Sequence, residues 1–170
     1  NEIVGLDPGE LFVHRNIANV MHTGDLNLLS VIEFAVEALR VEDIIICGHY
    51  GCGGVRRALE RQAGALVDHW LAPVVDVYER QRERFDPSAS EEARLNLLCE
   101  LNVIEQVANV CHTTIVQNAW KQGQELVVHG WIYSIEDGIL RDLDVCVTGN
   151  AGVVRAGPNA CPSSSPHVII

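Results

Sequence analysis

The sequence predicts an α/β domain with a mainly parallel β-sheet, flanking helices and an antiparallel edge strand. Strand and helix patterns alternate over the first 60 or so residues, which indicates parallel strands joined by right-handed crossovers. The continuous run Ile44-Ile45-Ile46-Cys47 is typical of a strand buried on both faces. Near residue 145, apolar residues alternate with polar ones as in an antiparallel edge strand: Leu143, Val145 and Val147.

The first half of the chain is divided by clear turn and capping signals. Asp7-Pro8-Gly9 is a turn signal, and the five residues after it read as a short strand. In chain order we predict a strand at residues 10–14, a helix capped by Asp25, a strand at 44–47, a glycine-rich loop from Gly48 to Gly54 and a helix opened by Val55.

Helical periodicity dominates the middle of the chain. It runs from Leu66 to Phe85 with an interruption expected at Pro73, because proline lacks the amide hydrogen that a helix interior needs. The clearest helix has apolar residues three or four apart: Leu97, Leu101, Ile104, Ala108 and Cys111. Beyond it we predict a capping box at Thr114-x-x-Gln117, a strand from Leu126 to Tyr133 and a tight turn at Asp137-Gly138.

The composition changes after Thr148. Residues 149–170 contain three of the six prolines, several glycines and the run Ser163-Ser164-Ser165. Such a segment has little apolar surface with which to offset the entropy of ordering. We therefore predict one compact domain over residues 1–148 and a poorly ordered tail over 149–170.

Charge and hydropathy exclude several classes of function. Twelve basic against twenty-three acidic residues give a net charge of −11, which argues against nucleic-acid binding. No apolar run approaches the roughly 18 residues that span a bilayer, so no membrane partner is expected. The start of the chain has no signal-peptide pattern. We therefore expect a cytoplasmic protein whose six cysteines are reduced.

The glycine-rich loop carries the candidate chemistry. His49 and Cys52 lie three residues apart after a buried strand, where open α/β sheets place their ligands, and imidazole and thiolate are natural Zn²⁺ ligands. Two other interpretations remain open. His49 could bond locally while Cys52 packs, or the loop could bind phosphate, although it has neither a Walker motif nor a Gly-x-Gly-x-x-Gly pattern.

Five segments of this chain resemble the β-class carbonic anhydrases in order and spacing. The likeness runs from Gly5 to Val147. The segments that carry it are Gly9-Glu10-Leu11-Phe12-Val13-His14-Arg15-Asn16-Ile17-Ala18-Asn19, Ile46 through Val55, Cys99-Glu100-Leu101-Asn102-Val103, His129-Gly130-Trp131-Ile132-Tyr133 and Leu140-Arg141-Asp142-Leu143-Asp144.

The resemblance implies a zinc lyase that interconverts carbon dioxide and bicarbonate. In that family two cysteines and one histidine hold the metal, and the histidine and second cysteine correspond to His49 and Cys52. A zinc-bound hydroxide then attacks CO₂. Arg15 and Tyr133 match positions that line a non-catalytic bicarbonate pocket in some bacterial members. The family also implies a homodimer or a dimer of dimers.

The sequence departs from the family at its start. The first zinc-ligating cysteine and the Asp/Arg pair that controls access to the metal belong to a Cys-Ser-Asp-Ser-Arg motif, and no cysteine precedes Cys47 here. The family's N-terminal helices and the central strand between the strands at 10–14 and 44–47 are missing too. We expect that upstream residues were omitted, that the remaining strands rearrange, or that another chain fills the gap, and we favour omission.

Two alternative functions follow from the same scaffold. One is a hydrolase of carbon disulfide or carbonyl sulfide, since the shape of the pocket would set the substrate. The other is a catalytically inactive remnant that acts as an assembly partner, because the chain supplies only two of the three protein ligands.

Overall fold

The computed structural model describes residues 5–149 and the backbone of two later strands. The α-helices are α1 (Leu26–Glu33), α2 (Gly53–Leu59), α3 (Leu66–Arg80), α4 (Glu91–Cys111) and α5 (Thr114–Lys121). The strands are β1 (Leu11–Val13), β2 (Asp43–His49), β3 (Val127–Tyr133), β4 (Leu140–Thr148), β5 (Val154–Arg155) and β6 (His167–Ile169). Short 3₁₀ turns occur at Ile17–Asn19 and Arg82–Arg84, and a π-helical turn, Phe34–Ala38, extends α1.

The strands form one six-stranded sheet in the order β1-β6-β2-β3-β4-β5. The pairs β1/β6, β6/β2 and β2/β3 are parallel, whereas β4 pairs antiparallel with both β3 and β5. The mainly parallel sheet with flanking helices is therefore confirmed. The predicted edge strand, β4, is antiparallel as expected, but β5 pairs with its outer side and forms the edge. A register shift between Gly130 and Trp131 interrupts the β3/β4 ladder.

Strand β6 occupies the sheet position that the sequence left empty. It lies between β1 and β2, and its three residues pair with Leu11–Val13 on one side and with residues 43–45 on the other. The chain's own residues therefore lie beside residues 43–45 of β2, and the preference for omitted upstream residues stays a prediction. Segments 154–155 and 167–169 are strands of this sheet, and the division into a domain over 1–148 and a poorly ordered tail over 149–170 stays a prediction. The rest of 150–170 lies outside the described residues.

The apolar core lies between the sheet and α4. Gly48 of β2 and Gly130 of β3 face this helix, and a Cβ on either would lie within 3.2 Å of a Val103 methyl group. Their small size therefore brings α4 close to the two central strands. The sheet side chains that join the core occupy alternate positions, as a pleated strand requires: Ile44, Ile46, Val128 and Ile132.

Most predicted elements are present, with local differences. Asp25 caps α1 as expected, since its carboxylate accepts the amide hydrogens of Asn27 and Leu28. Helix α3 runs through Pro73 without ending there, because the buried side chains of Leu71 and Val74 on either side hold it against the core.

Two smaller expectations are corrected. The N-cap of α5 is Thr113 and not Thr114, since the Thr113 hydroxyl accepts the amide hydrogen of Val116. Cys146 is disulfide-bonded, so the expectation of reduced thiols is wrong at this position. Four other cysteines are free thiols: Cys47, Cys52, Cys99 and Cys111.

Candidate metal site

The loop that bears His49 and Cys52 follows the carboxyl end of β2. Strand β2 ends at His49, and α2 begins at Gly53. Gly51 has a φ of +68°, a conformation that glycine adopts without strain. The amide of Tyr50 donates to the Tyr133 carbonyl at 2.9 Å, which extends the β2/β3 ladder one residue past the strand. The loop is therefore anchored to the sheet directly after the first candidate ligand.

The orientation of the His49 ring is set by a backbone carbonyl. Its Nδ1 lies 2.9 Å from the carbonyl oxygen of Tyr50. Because a carbonyl only accepts, Nδ1 carries the hydrogen in this contact, and Nε2 remains for Cys52 or for a metal ion. Hydrogen bonding with Cys52 raises the pKa of His49, and partial burial opposes that rise. The imidazole and the thiol therefore lie together.

Cys52 stands immediately before α2, and its side chain is 5% exposed. Burial raises the pKa of its thiol, but His49 and the backbone amides of Val55 and Gly54 lower it by more, so the net shift is downward. Thiolate is the form that binds metals, and this environment favours it.

Helix α4, which packs against one face of the sheet, also contacts this loop. The Tyr50 hydroxyl donates to Glu100 Oε1 at 2.6 Å. Burial, together with the Glu100 carboxylate, raises the pKa of Tyr50 to about 12, so the phenol stays protonated and donates. Sequence reasoning missed this contact, because 50 residues separate the partners and no spacing rule relates them.

His49 and Cys52 are ligands of the types that zinc binds, but they are only two of the three protein ligands that the resemblance implies. His49 supplies an imidazole nitrogen and Cys52 a sulfur, and both are usual Zn²⁺ ligands. Among the described residues, no group of three or more His, Cys, Asp or Glu side chains is arranged to hold a metal ion. Burial raises the pKa of Cys47 to about 11 and that of Cys99 to about 12, which keeps both as neutral thiols.

The two residues predicted to bind bicarbonate, Arg15 and Tyr133, both lie near the ligand-bearing end of β2. Tyr133 is the register partner of His49 at the end of β3. Arg15 follows β1, is exposed, and acts electrostatically on Cys47. Within residues 5–149, no hydrogen bond joins the Arg15 and Tyr133 side chains, so their bicarbonate-binding role stays a prediction.

Strand β2 is longer than the neighbour that pairs with it on the β1 side. Strand β6 pairs with residues 43–45 of β2 only. Within the described part of the chain, no strand pairs on this side with residues 46–49, which lead to the candidate ligand His49.

Comparison with known proteins identifies the family. The carbonic anhydrase family model matches residues 1–140. The chain belongs to the carbonic anhydrase family. It is 45% identical over 165 residues to a carbonic anhydrase of Emericella nidulans, covering 97% of this chain and 72% of that protein. It spans 65% and 50% of two further curated carbonic anhydrases, from Saccharomyces cerevisiae and Candida albicans.

Solved β-carbonic anhydrases share the fold. The Coccomyxa enzyme, solved in complex with acetazolamide, superposes with a TM-score of 0.83 at 36% identity, over 91% of this chain and 72% of that one. A β-carbonic anhydrase structure from a study of two tetrameric enzymes of Sordaria macrospora gives 0.80 at 34% identity, over 86% and 74%. These likenesses confirm the resemblance read from the sequence motifs. No helix in the described part of this carbonic anhydrase family member is long and apolar enough to cross a bilayer.

Proposed function

We propose that this chain is the zinc-binding part of an enzyme that reversibly hydrates carbon dioxide to bicarbonate and a proton. The observation that carries the proposal is the pairing of His49 with Cys52 at the carboxyl end of β2. Carbon dioxide is the proposed substrate because the relatives of this chain are carbonic anhydrases.

The chain's own residues prepare the ligands. The Tyr50 carbonyl fixes Nδ1 of His49, so that Nε2 is the nitrogen available to the metal. The amides of Gly54 and Val55 lower the pKa of Cys52 and so favour its thiolate. Zinc held by these residues would act as a Lewis acid and lower the pKa of water toward about 7.

The first experiment measures zinc content per chain after dialysis, in the wild type and in two cysteine variants. We expect about one zinc per chain in the wild type. Cys52→Ser should weaken zinc affinity by more than the roughly 10–100-fold that loss of an outer hydrogen bond costs, because it removes a ligand. Cys111→Ser is the matched control, since Cys111 is also a buried free thiol, at the far end of α4.

Catalysis is tested by stopped-flow CO₂ hydration beside carbon disulfide turnover. CO₂ hydration that is lost in Cys52→Ser and kept in Cys111→Ser supports the proposal. Turnover of carbon disulfide alone would assign the hydrolase instead. A wild-type chain without zinc would favour the inactive assembly partner, the alternative that the partial ligand set supports. Equal zinc loss in both variants would refute the ligand assignment.

Assembly and location are part of the proposal. We propose a homodimer or a dimer of dimers, because the Sordaria structure comes from a study of tetrameric enzymes. Light scattering on the purified chain measures this directly. The cytoplasmic location rests on the sequence alone and is tested by fractionating cells that express the full-length protein.

A further inference from the structure

Tyr50 makes three hydrogen bonds: one to the candidate ligand His49, one to strand β3 and one to helix α4. Its carbonyl accepts from Nδ1 of His49 at 2.9 Å, its amide donates to Tyr133 at 2.9 Å, and its hydroxyl donates to Glu100 at 2.6 Å. The backbone of Tyr50 is thus fixed by the sheet and its side chain by the helix. No other contact of the His49 ring with a backbone carbonyl is present among the described residues.

We propose that Tyr50 and Glu100 are positioning residues for the metal site, acting together to hold the imidazole of His49 in its ligating orientation. The inference rests on the proposed zinc site and assigns it two supporting side chains. In this arrangement Glu100 fixes the phenol, the phenol and the bond to Tyr133 together fix the position of the Tyr50 backbone, and the Tyr50 carbonyl accepts from Nδ1 of His49.

The surroundings of the pair suit this role. The contact is charge-assisted, since a carboxylate accepts from a neutral hydroxyl, and such bonds are short and strong. Tyr50 also packs against the apolar core, which limits the motion of its ring. Cys99, the neighbour of Glu100 on α4, is buried. Its thiol lies beside the backbone of Cys52, whose amide lowers the pKa of Cys99 by hydrogen bonding. One turn of α4 therefore supports the loop near both ligands.

Metal affinity is the first test. Zinc dissociation constants are measured by competition with a chromogenic chelator, and Co²⁺ substitution supplies a visible spectrum that reports ligand geometry. Tyr50→Phe and Glu100→Ala should each weaken zinc binding roughly 10-fold or more, the usual cost of losing an outer-shell partner. The double variant should be no weaker than either single one, because both remove the same bond. Glu100→Gln keeps an acceptor oxygen and should retain affinity within about 3-fold.

Two variants control for general loss of stability. Glu105→Ala removes another α4 carboxylate, which bonds Arg80 at 2.7 Å away from the site. Tyr78→Phe removes a second phenol hydroxyl, from a ring that packs edge-on against Phe85. Both should leave zinc affinity and the Co²⁺ spectrum unchanged, whatever they do to the melting temperature.

A metal-free measurement separates this inference from the proposed function. Nitrogen-15 NMR of the His49 ring reports which nitrogen carries hydrogen in the apo chain. We expect Nδ1–H in the wild type and in Glu100→Gln, and a mixture of tautomers in Tyr50→Phe and Glu100→Ala. If the wild type bound no zinc, the proposed function would fail, and the ring spectrum would still decide the positioning role. If the His49 tautomer were unchanged in Tyr50→Phe and Glu100→Ala, the positioning role would be wrong. It would also be wrong if these variants lowered only the melting temperature and left the zinc affinity and the Co²⁺ spectrum unchanged.

Discussion

Gly48 of β2 lies directly against Val103 of α4: a Cβ on Gly48 would sit 2.5 Å from Val103 Cγ2 and 3.3 Å from Ile132 Cδ1. Real Cβ atoms do not approach this closely, so the helix can pack here only because residue 48 has no side chain. The contact lies one residue before His49. Helix packing and ligand placement are therefore coupled at this point.

Gly48→Ala should lower the free energy of unfolding by about 2 kcal/mol, because overpacking forces Val103 or the strand to shift. Urea denaturation measures the change. Gly53→Ala is the control, since a Cβ there meets nothing within 4 Å. If Gly48→Ala proved as stable as Gly53→Ala, the close approach of α4 to β2 would be wrong.

Asn102 joins α4 to the loop after β1. Its Nδ2 donates to the Ala18 carbonyl at 2.8 Å, and its Oδ1 accepts from Gln106 at 2.9 Å. The side chains of Asn102 and Gln106 are both fully buried. Asn102→Ala should cost about 2–4 kcal/mol, because it leaves buried polar groups unpaired. Thermal unfolding beside the exposed control Asn118→Ala tests this, and similar melting temperatures for the two variants would count against it.

A buried pair joins the first residue of β2 to β3. His129 Nε2 lies 2.7 Å from Asp43 Oδ1, and both side chains are at most 5% exposed. Asp43→Ala should destabilise the fold by about 3 kcal/mol or more, since removing one partner leaves the other buried without it. Denaturant unfolding of this variant is compared with that of Asp76→Ala, an exposed helical position. A loss below about 1 kcal/mol would show that the pair carries little of the stability.

The β3–β4 turn gives a prediction about pH. Arg141, and then the Ile139 amide, hold the pKa of the Asp137 carboxyl below its ordinary value of 3.8. A group with a depressed folded pKa contributes stability that is present above the ordinary pKa and is lost as the pH falls below it. Both side chains are about 40% exposed, so the contribution is small.

Asp137→Asn should therefore melt about 1–3 °C below the wild type at pH 7, and the difference should shrink as the pH falls below about 4. Calorimetric scans across this range measure it. Glu136→Gln, an exposed neighbour, serves as the control. A difference that grows toward low pH would have the wrong sign for this ion pair.

The ladder between β1 and β2 predicts the effect of a proline in β6. Val168 pairs with Phe12 on one side and Ile44 on the other. Val168→Pro removes a backbone donor from an interior strand, so it should destabilise the domain by about 3 kcal/mol. Val168→Ala keeps the amide and serves as the comparison. Equal melting temperatures for the two variants would place this segment outside the sheet.

Local pattern was enough to predict most of the sheet. The run Ile44–Cys47 indicated a central strand because β-branched residues favour strands buried on both faces. His49 and Cys52 were predicted as ligands from their place after that strand, and this assignment stays a prediction. The long helix was visible from its periodicity, although the structure starts it at Glu91. These features depend on neighbours along the chain, which is the information that a sequence displays.

Long-range contacts could not be predicted in the same way. Residues 167–169 follow a stretch of prolines and serines, and the strands with which they pair, β1 and β2, lie far from them along the chain. The bond from Tyr50 to Glu100 depends on the rotation of α4, which packing against Gly48 and Gly130 sets. Both cases arise from tertiary structure rather than from local preference.

The place of β6 in the sheet also bears on how quickly the protein folds. Leu11 and His167 are register partners although about 150 residues separate them, and a pairing this distant raises the contact order of the domain. Strands β2 and β3 can assemble with α4 earlier, whereas β1 cannot join the sheet until β6 has closed that long loop. On a ribosome, β1 would wait for nearly all of the chain described here to be synthesised before gaining its neighbour.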